Sequence, residues 1–218
     1  MELKAFKYAS NYIIQSQEEE IKRIALELHE GISQNLYSLS TGMEFLQSAM
    51  EDPALKQYAN EMTELMKRTI QEVRLLSVEL YPTTIDTLGL ISAIKSYIKL
   101  FTSSFGIVVD LQTTGREMEI SEGKSLAIFR SCQEALINIA KYADTSDAKL
   151  TILWGLNTLT IHIEDEGKGF ELEEENSRNS FKGIAAMKQR MTNVGGECML
   201  HSEIGRGTKV TLQLPVQD

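Results

Sequence analysis

Apolar residues recur at Ile21, Ala25, Leu28, Ile32, Leu36, Leu39, Met43 and Leu46, in steps of three and four that mark one stripe of an amphipathic helix. A second stripe runs through Leu55, Tyr58, Met62, Leu65, Thr69, Val73, Leu76 and Leu80. Asp52 and Pro53 suit the start of that second helix: a carboxylate accepts from the free N–H groups of the first turn, and proline lacks an N–H that would go unused there. The short stretch between the stripes predicts a turn and therefore antiparallel helices. In each stripe two steps of four adjoin once, at Leu28, Ile32, Leu36 and at Leu65, Thr69, Val73, about equally far from the turn. That match predicts a shared local unwinding close to His29. One hairpin cannot cover apolar faces this wide, so two hairpins are expected to pair as a four-helix bundle, making the protein a homodimer.

Beyond about residue 86 the pattern changes, and the chain is divided here into 1–86 and 87–218. A helical segment from Leu88 to Phe105 leads into an alternating run with Ile107, Val109 and Leu111, then a longer helix is predicted over roughly residues 122 to 143. LTILW and TLTIHIE read as a hairpin of strands joined by Gly155 to Asn157. A helix with Ile184, Met187, Met191 and Val194 should stop at Gly195 and Gly196, and two strands finish the chain. Strands and helices mix without strict alternation. The expected class is α+β multidomain: the helical hairpin, then a sandwich with helices on one face of a mostly antiparallel sheet.

Candidate chemistry sits at four places. His29, followed by Glu30 and Gln34, lies beside the first stripe rather than in it, where a nucleophilic imidazole would stay within reach of solvent. In QEALINIAKYAD, Glu134, Asn138, Lys141 and Tyr142 stand at offsets that share one helix face. A carboxylate, an amide oxygen and a lysine suit hydrated magnesium bridging phosphates, because that ion takes few protein oxygens and keeps several waters. IEDEGKGF puts Asp165 at a strand end before Gly167 and Gly169; such glycines let backbone approach a flat ligand, and the carboxylate can accept from a base amino group. EIGRGTKVTLQLP sets Gly205, Gly207 and Thr208 before the last strand. Taken singly, the plainer readings are favoured: a boundary histidine, a solvated helix face, an acid-and-glycine turn and a tight hairpin. His162 and His201 read as exposed or satisfied strand residues and Trp154 as core.

In that order, the four places resemble the catalytic core of a sensor histidine kinase, specifically of the NarX, DegS and DesK-like class that pairs with NarL-type response regulators. VRLLSVELYPTTIDTLGLISAI, from Val73 to Ile94, resembles the passage from the second helix into the ATP-binding domain of that class, and the likeness runs from about Glu18 to Pro215. The resemblance implies a Bergerat-type ATP-binding domain after a dimerisation and phosphotransfer hairpin, with ATP and Mg²⁺ as cofactors. It implies His29 as phosphoacceptor, Glu30 as holder of the other ring nitrogen's proton, and Gln34 as placer of a water that dephosphorylates the regulator. Asn138 would ligate Mg²⁺, Glu134 would act near the metal and its waters, and Lys141 would contact phosphate. Asp165 would read adenine, with Gly167, Gly169, Gly183, Gly205, Gly207 and Thr208 shaping the pocket and lid. The chain departs from the class at Glu30, where aspartate is usual, at Tyr142, where histidine is usual, and in FKGIAAM, where Phe181 and Ala186 replace expected glycines. The acid-rich ELEEENSRNSFK would be the ATP lid.

Composition narrows the remaining choices. A net charge of −9 argues against a general nucleic-acid binder. Charges interrupt every apolar stretch before it could span a bilayer, and the opening residues lack the apolar core of a secretory signal. Cys132 and Cys198 are too few for a disulfide framework and lack zinc spacing, so both are expected reduced and buried. The expectation is a cytoplasmic chain, or the cytoplasmic part of a membrane-anchored sensor, with a response regulator receiver domain as partner and no direct membrane contact. Three functions compete: an autophosphorylating kinase passing phosphate from His29 to an aspartate, with regulator phosphatase activity as a companion; an ATP-binding module without productive transfer that sequesters a partner or acts only as a phosphatase; and a helical dimerisation protein with a structural second domain.

Overall fold

The computed structural model describes residues 16, 19–171 and 180–216. Most of the acid-rich lid segment lies outside that set. The chain divides into two compact units, the first ending at Thr83 and the second beginning at Thr84.

The first unit is the expected antiparallel hairpin. Residues 19–26 are helical, a π-helical turn follows over Glu27–Ile32, and helix α1 continues over Ser33–Ser48. Helix α2, Pro53–Leu80, is capped by Asp52, whose side chain accepts from the N–H of Ala54 at 2.8 Å. It ends where Tyr81 turns extended ahead of Pro82, as a residue before proline is driven to do. The predicted unwinding exists in the first helix only; α2 runs through Leu65, Thr69 and Val73 without interruption. A π turn needs partners for displaced backbone groups. Here the Ser33 hydroxyl and N–H both donate to the Leu28 carbonyl, and the buried Ser77 hydroxyl of α2 donates to the Ala25 carbonyl at 2.8 Å.

The seam differs from the predicted stripes. Among the described residues, those buried within the two helices are small or short: Ala25, Ser33 and Ser40 against Ala59, Thr63 and Ser77, with Ile70 the one large side chain, while Tyr81 is buried just past the end of α2. Small side chains let the helix axes approach, and the larger apolar residues are left at the flank. Ile32, Leu39 and Leu46, spaced by seven, are 43%, 60% and 55% exposed, and Tyr58, Leu65 and Leu76 are likewise exposed.

In the second unit helix α3, Thr84–Phe105, is bent at Gly89 (φ 79°) and leads through Gly106 to strand β1, Val108–Thr114. Helix α4 is Glu122–Asn138, extended by a second π turn over Ile139–Ala143. Strands β2 (Asp147–Trp154) and β3 (Thr158–Asp165), helix α5 (Ser180–Asn193), and strands β4 (Glu197–Glu203) and β5 (Gly207–Pro215) complete it. Helix α5 stops as predicted, with Gly195 at φ 76° and the Gly196 N–H donating to the Met191 carbonyl at 2.8 Å. The sheet has five strands in the order β1-β2-β3-β5-β4, with β1 parallel to β2 and every other pairing antiparallel. Alternation sends Leu150, Ile152, Leu159, Ile161, Ile163, Leu212 and Leu214 to one buried face, where Tyr97, Phe101 and Phe129 join the core. Tyr97 and Phe129 meet edge to face at 5.7 Å. Trp154 is buried as expected. No helix among the described residues is long and apolar enough to cross a membrane.

Candidate functional site

His29 sits inside the first π turn, half-buried. Its Nδ1 is buried and has no hydrogen-bond partner among the described residues, which leaves Nε2 as the ring nitrogen that solvent reaches. Glu30 is exposed, and no hydrogen bond among the described residues joins it to the ring. Gln34 is exposed as well. In an α-helix an offset of five leaves residues about 140° apart. A turn closed by i→i+5 bonds advances less per residue, so the π turn swings Gln34 back toward the face of His29.

Four segments assemble the second candidate site. Glu134 and Asn138, both half-buried, come from the last turns of α4. The predicted shared face holds only to Asn138, because the chain then widens into the π turn and leaves Lys141 and Tyr142 exposed while Ile139 and Ala143 are buried. That turn closes on Asp144, left-handed at φ 59°. Its last carbonyl, on Ala143, accepts from the Lys168 N–H at 2.8 Å, which ties the end of α4 to the loop after β3.

Asp165, 7% exposed, ends β3 beside Thr208 of β5. Its carboxylate accepts from the N–H of Gly167 at 2.9 Å and from the backbone of Thr208. Burial pushes the carboxyl above the ordinary aspartate range, and the two N–H donors pull partly back.

The close approaches at the glycines are to the chain's own backbone. A Cβ on Gly167 would overlap the Ala143 carbonyl, one on Gly169 the Glu203 carbonyl, and one on Gly207 the Asp165 carbonyl. Gly169, Gly205 and Gly207 also have positive φ. These glycines thus lock the β3 loop between the end of α4 and the β4–β5 turn. Gly183, in the first turn of α5, lies against the Glu134 side chain. Replacing Gly207 by alanine is expected to destabilise the second unit by about 2–4 kcal/mol, from left-handed strain plus overlap. Denaturant unfolding checks this, and an unchanged midpoint would contradict it.

The sequence reading missed Ser202. Its hydroxyl accepts from the Phe170 N–H at 3.0 Å, donates to the Gly207 carbonyl at 3.1 Å, and lies 3.0 Å from Thr208 Oγ1. A single serine in an alternating strand carries no signal of such a junction. Among the remaining histidines, His162 pairs with Thr211 Oγ1 at 3.1 Å and His201 is exposed, as expected of strand residues. Cys132 and Cys198 are free and buried, and burial raises both thiols, Cys132 to about 12 and Cys198 to about 11.

Comparison with known proteins follows the same division. Residues 20–85 match the histidine kinase family model HisKA_3, and residues 123–218 match HATPase_c, described as histidine kinase-, DNA gyrase B- and HSP90-like ATPase. The oxygen sensor histidine kinase NreB of Staphylococcus carnosus (strain TM300) is 34% identical over 205 residues, which is 94% of this chain and 59% of that protein. The chain is a histidine kinase core, a HisKA_3 unit followed by a HATPase_c unit. It spans about three fifths of that curated relative's length. The histidine kinase domain of a blue-light activated histidine kinase from Erythrobacter litoralis EL346 superposes with a TM-score of 0.51 at 15% identity, over 84% of this chain and 94% of that one, a likeness of fold. In this kinase core the HATPase_c unit is the ATP-binding module, and the hairpin that carries His29 is the HisKA_3 unit.

Proposed function

We propose that this kinase core uses ATP to phosphorylate its own His29 and then passes the phosphoryl group to an aspartate on a NarL-type response regulator. The observation that carries this reading is the open Nε2 of His29 on a hairpin encoded with an ATP-binding module. The neutral ring attacks the γ-phosphorus through Nε2; the bond from that phosphorus to the bridging oxygen breaks, ADP leaves, and an N–P bond forms. The ring gains positive charge while Nδ1 keeps its proton. Glu30 is assigned the task of meeting that charge, which needs its side chain to turn inward from its exposed position. The aspartate carboxylate then attacks the same phosphorus, and the N–P bond breaks.

Adenine is assigned to Asp165, through its amino group, and the phosphates to Lys141, with Tyr142 alongside. Gly167, Gly169, Gly183, Gly205, Gly207 and Thr208 shape the backbone around the nucleotide. Magnesium fits the donor chemistry here: Asn138 offers a neutral amide oxygen, half-buried, and Glu134 a carboxylate for the metal's waters. When bound, the ion neutralises charge on the phosphates and the departing ADP. The flank of Ile32, Leu39, Leu46, Tyr58, Leu65 and Leu76 supports pairing with a second hairpin as a homodimer. A cytoplasmic location is part of the proposal, since ATP and a receiver domain are needed.

Incubation with γ-labelled ATP and Mg²⁺ tests the function. Acid-labile, base-stable label that moves to a receiver domain supports it. ATP binding without label would instead identify a nucleotide-binding module that does not transfer phosphate.

Two further outcomes are expected. Gln34→Ala should spare autophosphorylation while slowing regulator dephosphorylation by roughly tenfold or more, through loss of a water-placing amide; equal dephosphorylation rates in the two proteins would remove that role. Nucleotide affinity should also fall on acidification from neutral pH earlier than an ordinary aspartate would dictate. Since the folded pKa of Asp165 is raised, the folded protein takes up this proton first as pH falls, so ionised Asp165 costs stability at neutral pH and acidification relieves that cost. Protonation then removes the charged acceptor from the base contact. Titration with adenosine, which has no phosphate to protonate near neutral pH, checks the affinity; a flat profile at every pH above the ordinary carboxylate range would contradict the assignment.

A further inference from the structure

In the first turn of α5, Gly183 occupies a place where any side chain would collide with Glu134: a Cβ there would overlap Oε1 and crowd Cδ and Cγ. The whole end of the Glu134 side chain therefore lies along the Gly183 backbone. Glycine is a poorer helix former than alanine, and this one has no positive φ to explain it. Gly167, Gly169 and Gly207 make room for backbone, whereas Gly183 makes room for a side chain. That side chain is the carboxylate assigned above to the metal's waters.

We propose that Gly183 is a positioning residue for Glu134: by omitting a side chain, it lets α5 approach α4 until its backbone forms the wall that fixes the direction of the carboxylate. The inference rests on the proposed role of Glu134. It differs from a role in which Gly183 touches the nucleotide, because its effect passes through one named side chain. Glutamate has a spare methylene to move, so a methyl group at position 183 turns the carboxylate aside while α5 remains intact. A one-ångström displacement of this kind is costly to chemistry and nearly neutral to nucleotide binding.

The test is a double-mutant cycle in the full chain, with autophosphorylation and thermal unfolding as readouts. Gly183→Ala should lower kcat by roughly tenfold to a hundredfold with little change in the KM for ATP. In the Glu134→Asp background, where the acid is one methylene shorter, the same change should have a much smaller effect. In the Glu134→Ala background it should have no effect on the residual rate. The melting temperature should rise less on Gly183→Ala in the parent chain, where the Glu134 carboxylate must move aside, than in Glu134→Ala, where only the better helix propensity remains. Equal melting shifts in both backgrounds, or a raised KM with kcat untouched, would overturn the proposal while leaving Glu134 in its role. A full rate in Glu134→Ala alone would instead overturn the role of Glu134, and the positioning proposal with it.

Discussion

His29→Ala is expected to abolish acid-labile labelling by γ-labelled ATP while the chain stays folded. The imidazole is the proposed nucleophile, and the other two histidines, His162 and His201, stand on strands of the second unit rather than on the hairpin. Removing an attacking atom leaves no route to an N–P bond, so the loss should reach background rather than a partial rate. Stability should hardly change. His29 is half-buried and its Nδ1 makes no hydrogen bond among the described residues, so truncation breaks no polar network and should cost less than about 1 kcal/mol. Unfolding midpoints within a few degrees of the parent, together with absent label and preserved ATP binding, are the combined expectation. Label persisting in His29→Ala would move the acceptor elsewhere and end the proposal.

Asn138→Ala is expected to lower autophosphorylation by at least about a hundredfold, with excess Mg²⁺ unable to restore it. Asn138 is the last residue of α4 before the helix widens, a position that holds its amide at the mouth of the π turn rather than in the core. Its proposed contribution is a neutral oxygen donor. Alanine supplies none, while the aspartate variant keeps an oxygen at the same reach and adds charge, so Asn138→Asp should retain more activity than Asn138→Ala. Alanine also favours helix, so the fold should survive. Comparable rates for the parent and Asn138→Ala would show that the amide does not serve the metal.

Much of this architecture could be read directly from the chain. The steps of three and four defined both helices of the hairpin, the Asp52–Pro53 pair marked a helix start that the cap geometry bears out, and Gly195 and Gly196 marked a helix end. Even the unwinding near His29 was legible from adjoining steps of four, though only one helix shows it. The reason is visible in the partner: Ser77 supplies a hydroxyl to the Ala25 carbonyl, so the distortion is accommodated on one side and α2 stays regular. The four chemical segments were also legible, since each carries an unusual local combination of residues.

The sequence alone therefore determined periodic and local features: amphipathic stripes, caps, turn glycines, and which short segments hold chemistry. Those depend on neighbours within a few residues, which the linear pattern records. Tertiary structure alone decided that the hairpin seam is built from Ala25, Ser33, Ser40, Ala59, Thr63 and Ser77, and that β5 inserts between β3 and β4 in the sheet. It also decided that Gly167, Gly169 and Gly207 yield to backbone, that Ser202 joins Phe170 to Gly207, and that Gly183 yields to Glu134. Each of these is a contact between residues far apart along the chain, set by how closely packed surfaces can approach, and neither spacing nor composition encodes that distance.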